Sequence, residues 1–153
     1  MEELTADECR ALLEASSVAH LGVVEESRPY VSPVSYVVVD DQVCLRTGPG
    51  RRMDAIRAYP QVCLEVSRFD DNTGDWESVI VWGEAFEIDD PQLAERVLSD
   101  LVHKYSDAIG SPLSRGGGPP LPDPAILVGV PIETMTGRTS GKFFSIRTRP
   151  GRL

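Results

Sequence analysis

The sequence predicts a mainly β protein with flanking helices, built as one antiparallel barrel. Three observations predict it. Gly and Pro supply 13 and 12 of the 153 residues, so turns are frequent, which argues against an all-helical bundle. Short apolar segments of strand length follow one another between turn signals, mostly as neighbouring hairpins. Only three segments carry helical signals, and they flank the strands. The length favours a single domain over 1–153.

Thr5 and Glu8 stand three apart and form a capping box, so a helix starts at Ala6 and runs to Ala15 with Cys9, Leu12 and Leu13 inward. Residues 18–24 read as a strand, and 25–29 as a polar turn. Residues 30–39 read as one strand, with Pro33 marking an edge or bulge. Asp40 and Asp41 begin a hairpin turn into a strand over 42–47. A short helix carries Met53, Ile56 and Tyr59, and Pro60 stops it. Residues 61–67 form the next strand, and 70–75 a polar loop. Residues 76–88 read as one long strand kinked at Gly83, apolar on both faces at first, then with Phe86 and Ile88 inward and Glu87 outward. Asp90 and Pro91 start the long helix, whose Leu93, Val97, Leu98, Leu101, Val102 and Tyr105 recur at helical spacing. The segment 106–124 is rich in Gly and Pro and reads as a long loop. A last strand covers 125–135 and resumes over 142–146.

Fifteen basic against 24 acidic residues leave a net charge of −9, which disfavours nucleic acid and anionic membranes as partners. No apolar run nears the ~20 residues of a membrane helix. The acidic N-terminus is no secretory leader, so a soluble cytoplasmic protein is expected. The last twenty residues hold no acid but carry Arg138, Lys142, Arg147, Arg149 and Arg152. Their end, 147–153, is either a solvated basic tail or part of a stretch that folds back onto an anion. Cys9, Cys44 and Cys63 form no CxxC pair and no metal-ligand spacing, and they read as small buried hydrophobes.

The strongest local chemistry is Leu45-Arg46-Thr47-Gly48-Pro49-Gly50-Arg51-Arg52 at the opening of a helix. Glycines let successive N–H groups converge, the helix N-terminus adds partial positive charge, and arginines supply forked donors. This suits a phosphate; the alternative is a plain strand-to-helix turn with solvated arginines. It matches neither the Walker loop nor the dinucleotide glycine motif.

Four pieces in order carry a resemblance: Arg28-Pro29-Tyr30-Val31-Ser32-Pro33-Val34-Ser35-Tyr36; Gly50-Arg51-Arg52; Tyr59-Pro60-Gln61-Val62-Cys63-Leu64-Glu65-Val66; and Trp76-Glu77-Ser78-Val79-Ile80-Val81-Trp82-Gly83. Together they resemble the pyridoxamine 5′-phosphate oxidase-like FMN-binding split β-barrels, in the flavin-nucleotide-binding or nitroimidazole-resistance-like branch. The resemblance implies an antiparallel split β-barrel and a homodimer with FMN at the subunit interface. It implies that Pro33, Val34, Ser35 and Tyr36 lie along the flavin ring. Thr47, Arg51, Arg52 and Ser78 would reach the phosphate, with Arg52 standing where the family usually has Lys. The family's C-terminal pyridoxal phosphate signature is absent, so vitamin B6 synthesis is not expected.

The expected activity is an FMN-dependent oxidoreductase acting on a small-molecule substrate that the sequence does not name. The alternatives are a flavin-binding store without turnover, or a haem- or deazaflavin-binding relative on the same barrel. Haem would require His20 or His103 as axial ligand; both otherwise read as structural or surface residues. Asp70, Asp71 and Asp75 read as a solvated turn, since they lack the spacing of a calcium loop. Trp76 and Trp82 either fill the barrel and dimer core or stack on a flavin.

Overall fold

A computed structural model describes residues 1–106 and 125–141 of the chain. Six strands form one sheet, in the order β1 (Glu2–Glu3), β10 (Thr134–Thr139), β7 (Trp76–Glu84), β6 (Gln61–Phe69), β2 (Ala19–Glu25) and β3 (Arg28–Val34). Four more form a second, in the order β4 (Tyr36–Val39), β5 (Gln42–Thr47), β9 (Ile126–Pro131) and β8 (Phe86–Glu87). Every neighbouring pair is antiparallel. The helices are α1 (Ala6–Ala15), α2 (Arg51–Ala58) and α3 (Pro91–Ser106). This is the mainly β split barrel with flanking helices that the sequence predicts. Among the described residues no helix is long and apolar enough to cross a membrane.

The main core lies between the sheets, where Leu21, Val23, Val43, Leu45, Leu64, Val66, Val79, Val81, Val128 and Val130 are buried. Cys9, Leu12 and Leu13 of α1, with Met53 and Ile56 of α2, join it. A second cluster forms where Val97, Leu101 and Tyr105 of α3 cover Val39 and Cys44. Burial there pushes the Cys44 thiol up to about 12, so it packs as a hydrophobe. The four-stranded sheet is thus apolar on both faces, and its short runs read as continuous hydrophobics.

Two-residue hairpin turns join β2 to β3 and β4 to β5. Glu26, Ser27, Asp40 and Asp41 all take positive φ, as such turns require. The α1 capping box is present: Thr5 Oγ1 accepts from Glu8 N–H, and Glu8 Oε2 accepts from Thr5 N–H at 2.7 Å. Thr5→Ala should cost about 1 kcal/mol, read as a melting temperature lower by about 2–4 °C for a domain of this size.

The structure corrects several expectations. Three extended segments expected as single strands each divide between the two sheets. The 30–39 segment breaks at Ser35, the 76–88 segment at Ala85, and the 125–135 segment between Pro131 and Thr134. Burial alternates without interruption from Val31 to Tyr36, so the apolar pattern carries no trace of the first break. Period-2 patterning reports which face is inside, not which strand is the partner.

Phe86, expected inward, is 38% exposed, because beyond Ala85 the chain forms the short edge strand β8 and Phe86 lies over Gly129 at the surface. Along β7, Val79 and Val81 are buried whereas Trp82 on the other face is 42% exposed, so it does not fill this chain's core. Asp75, expected in a solvated turn, is buried and accepts a hydrogen bond from Ser140 Oγ at 3.3 Å. Cys63 is only half-buried, on the outward face of β6. Strand β1 was not expected. The loop beyond Ser106, the resumed strand at 142–146 and the tail 147–153 lie outside the described residues.

Candidate functional site

Arg52 stands in the first turn of α2, where the helix begins at the seam between the two sheets. Its Nε donates to Ser32 Oγ at 3.0 Å, its Nη2 to Pro33 O at 3.3 Å and its Nη1 to Thr47 Oγ1 at 3.4 Å. Ser32 and Pro33 lie on β3 of the larger sheet, and Thr47 ends β5 of the smaller. One guanidinium therefore bridges the split in the barrel. Ser32 and Thr47 are both buried.

Of the described arginines, Arg28, Arg46 and Arg52 make no ion pair, and of these three Arg52 is the one bonded to both Ser32 and Thr47. Arg10, Arg51, Arg57, Arg68, Arg96 and Arg138 each form an ion pair with a carboxylate. Arg52 contacts only neutral oxygens and makes no ion pair among the described residues. A half-buried cation without a counter-charge favours an incoming anion.

The helix end beside it is open. Gly50 is the N-cap of α2 with φ +146°, a conformation that favours glycine, and no side chain caps the first amides. A Cβ at Gly50 would meet nothing within 4 Å among the described residues, so the flank of the N-cap itself is uncrowded there. Orphan amides, two hydroxyls and an uncompensated guanidinium form a donor set that fits a phosphate.

The other expected site residues are placed as follows. Arg51 turns away from this cluster: it pairs with Glu25 and lies over the Tyr30 ring at 5.0 Å. Ser78 sits on β7, in register with Ser67 of β6 and Arg138 of β10. Three strand steps separate it from β3, roughly 14 Å at ~4.8 Å per step. Within one chain the structure does not bring Ser78 to Arg52. Pro33 and Val34 end β3, the edge strand of the larger sheet among the described residues, where Pro33 O accepts from Arg52.

Ser35 is the break, and Tyr36 opens β4 with its side chain fully buried. The Tyr36 hydroxyl donates to Leu13 O, and burial raises its pKa. The Tyr36 N–H donates to the Tyr105 hydroxyl at 3.0 Å, and Tyr36 O accepts from Lys104 Nζ at 3.0 Å. Its backbone groups are therefore held by α3.

Sequence reasoning left Ser32 and the Lys104–Tyr105 pair outside the site. Ser32 had a signal: alternation turns it inward with Tyr30 and Val34, a polar residue on an apolar face. His20, read as structural, is exposed, and its Nδ1 lies 3.0 Å from Glu65 Oε2 across the β2–β6 pair. His103 is exposed near the end of α3. Among the described residues no group of His, Cys, Asp and Glu could hold a metal ion.

Comparison with known proteins adds the family. An uncharacterized protein of Rhizobium meliloti is 26% identical over 145 residues, covering 90% of this chain and 93% of that protein. A crystal structure of an FAD-binding protein from Mesorhizobium loti superposes with a TM-score of 0.73 at 26% identity, covering 92% of this chain and 98% of that one. A 5-nitroimidazole antibiotic resistance-like protein from Bacteroides thetaiotaomicron superposes with a TM-score of 0.72 at 19% identity, covering 90% and 86%, and shows the same fold. The family model for pyridoxamine 5′-phosphate oxidase matches residues 5–139. A match over that span, together with the split barrel and the motifs along β3, α2 and β7, shows that the chain belongs to the pyridoxamine 5′-phosphate oxidase family.

Proposed function

We propose that this chain is an FMN-binding oxidoreductase that acts on a small molecule as a homodimer. The observation that carries the reading is Arg52, a half-buried guanidinium with three neutral acceptors and no counter-charge among the described residues. The naming of the Mesorhizobium loti neighbour as FAD-binding supports a flavin in this position.

In this reading Arg52 holds the flavin's phosphate with its fork. The Ser32 and Thr47 hydroxyls, which now accept from Arg52, rotate to donate to the phosphate instead. The α2 amides supply further donors at a positive helix end. The ring lies along the edge of β3 at Pro33, Val34 and Ser35, while α3 keeps Tyr36 in place. A bound flavin supplies the hydride or electron transfer to and from a nicotinamide donor and a small acceptor.

Dimerisation is supported by the outward face of the six-stranded sheet. Val31 (63% exposed), Phe69 (62%) and Trp82 (42%) lie there, three large apolar side chains on a face that a second copy would cover. Ser78 stands on the same face, so a second copy seated on it offers a route for Ser78 toward a phosphate.

The test is the visible spectrum of the purified protein, followed by FMN titration if it is colourless. Bands near ~370 and ~450 nm, or saturable FMN binding, are expected of a flavoprotein. Mass spectrometry of the released cofactor separates FMN from FAD and from a deazaflavin. Steady turnover with a reduced nicotinamide separates an oxidoreductase from a flavin store. A colourless protein indifferent to FMN would remove the flavin, and a Soret band would put haem in its place.

A further inference from the structure

Lys104 is a half-buried cation on the last turn of α3. Its Nζ donates to Tyr36 O at 3.0 Å and lies 3.9 Å from the centre of the Tyr36 ring and 5.5 Å from that of Tyr105. Tyr36 O is the one hydrogen-bond acceptor it reaches among the described residues, which leaves two of the three ammonium N–H groups for another partner. It makes no ion pair among the described residues. Glu14 of α1 is near enough to favour its charged form without touching it. Two aromatic faces stabilise the cation from one side. The position is one residue beyond Ser35, where the chain crosses from one sheet to the other.

We infer that Lys104 is an anion-recognition group of the substrate pocket and selects a small acceptor that carries a carboxylate. The inference rests on the flavin reading, because that reading puts the ring along Pro33, Val34 and Ser35, beside this amine. It adds the charge of the substrate, which the phosphate site does not determine. Desolvation lowers the Lys104 ammonium to about 8, the largest influence on it, with Glu14 opposing. The titratable neighbours facing it are Glu14 from α1, Tyr36 from β4 and Tyr105 from its own helix. Both phenols are held neutral by burial, so the amine is the group of this cluster that titrates between pH 7 and 9.

Lys104 and Lys142 are the two lysines of the chain, which makes the test direct. Protein labelled with 13C at lysine gives two side-chain methylene signals, and Lys104→Arg assigns them. Benzoate serves as the carboxylate probe, followed by the Lys104 signal and by the flavin band of FMN-loaded protein. Saturable binding is expected at pH 7, weakening about tenfold per pH unit above about 8, as the ammonium loses its proton. Lys104→Met should weaken benzoate about tenfold or more, the effect of losing a charge-assisted hydrogen bond, while Lys104→Arg stays within a few-fold. Both variants should melt near the wild type, and FMN affinity is measured for each so that benzoate binding is compared at equal flavin loading.

Benzoate affinity equal in wild type and Lys104→Met would overturn the inference. So would a wild-type Lys104 signal that ~50 mM benzoate leaves unmoved, since that excludes even a weak site. A protein that binds benzoate at Lys104 but takes no flavin removes the flavin reading and leaves the anion site standing. A protein that takes FMN and ignores benzoate does the reverse.

Discussion

Arg52→Ala should raise the dissociation constant for FMN about 10- to 150-fold. That range corresponds to the ~1.5–3 kcal/mol of a hydrogen bond to a charged group. The guanidinium loses its donors to the phosphate, and Ser32 and Thr47 lose the cation that now orients them. Arg51→Ala should change affinity by no more than about threefold, because Arg51 is held by Glu25 and Tyr30 and its charge is already compensated. Arg52→Lys should fall between the two, since a point charge replaces a planar fork. The measurement is quenching of flavin fluorescence on titration, repeated at two salt concentrations. Equal losses in Arg51→Ala and Arg52→Ala would show that the helix end acts only as a diffuse positive field. No loss in Arg52→Ala would remove the phosphate site from this seam altogether.

The two arginines are adjacent in sequence and alike in chemistry, and this explains what could be read without a structure. The glycines, the helix start and the basic pair all pointed to an anion at residues 47–52. Nothing in the sequence divides the labour between Arg51 and Arg52, because the division depends on Glu25 and Tyr30, which approach from a hairpin more than twenty residues away. Ser32 was legible as an inward polar residue, but its meaning came only with Arg52 above it. Lys104 gave no signal. Its setting is made by α3 docking on Tyr36, a contact 68 residues apart in sequence.

The fold shows the same division between local and distant causes. The α1 capping box, the Asp40–Asp41 turn and the stop at Pro60 are local, and each appears where the sequence puts it. The sheet crossings at Ser35, Ala85 and the Pro131–Thr134 link are set by barrel closure. At Ser35 closure changes the strand's partner without changing which side chains face inward, so the pattern runs through that crossing unbroken, whereas at Ala85 and at Pro131–Thr134 the alternation itself is interrupted.

Two of those crossings meet at Gly83, and replacing it should be among the most damaging single changes in the chain. An added Cβ would lie 2.1 Å from Pro131 O, 2.9 Å from Val130 Cγ1 and 3.2 Å from the Pro131 carbonyl carbon. The nearest obstacle is backbone, and that backbone is anchored. Glu133 N–H donates to Trp82 O at 3.1 Å, Glu84 N–H to Glu133 Oε1 at 3.2 Å, and Ala85 N–H to Pro60 O at 2.8 Å. Neither strand can retreat without breaking these bonds. Gly83→Ala should therefore cost about 3 kcal/mol or more, at the upper end of overpacking effects, which lowers the melting temperature by about 6–12 °C or prevents folding. Gly22→Ala is the comparison: its Cβ would lie 2.8 Å from Cys63 Sγ, a side-chain end that can rotate away, so its cost should be well below that of Gly83→Ala. The reason at Gly83 is space rather than dihedral angle, since it is not among the positive-φ glycines. Thermal melts of the two variants decide it. A Gly83→Ala protein that melts within about 2 °C of the wild type would mean that the sheets pass further apart at this crossing than the structure has them.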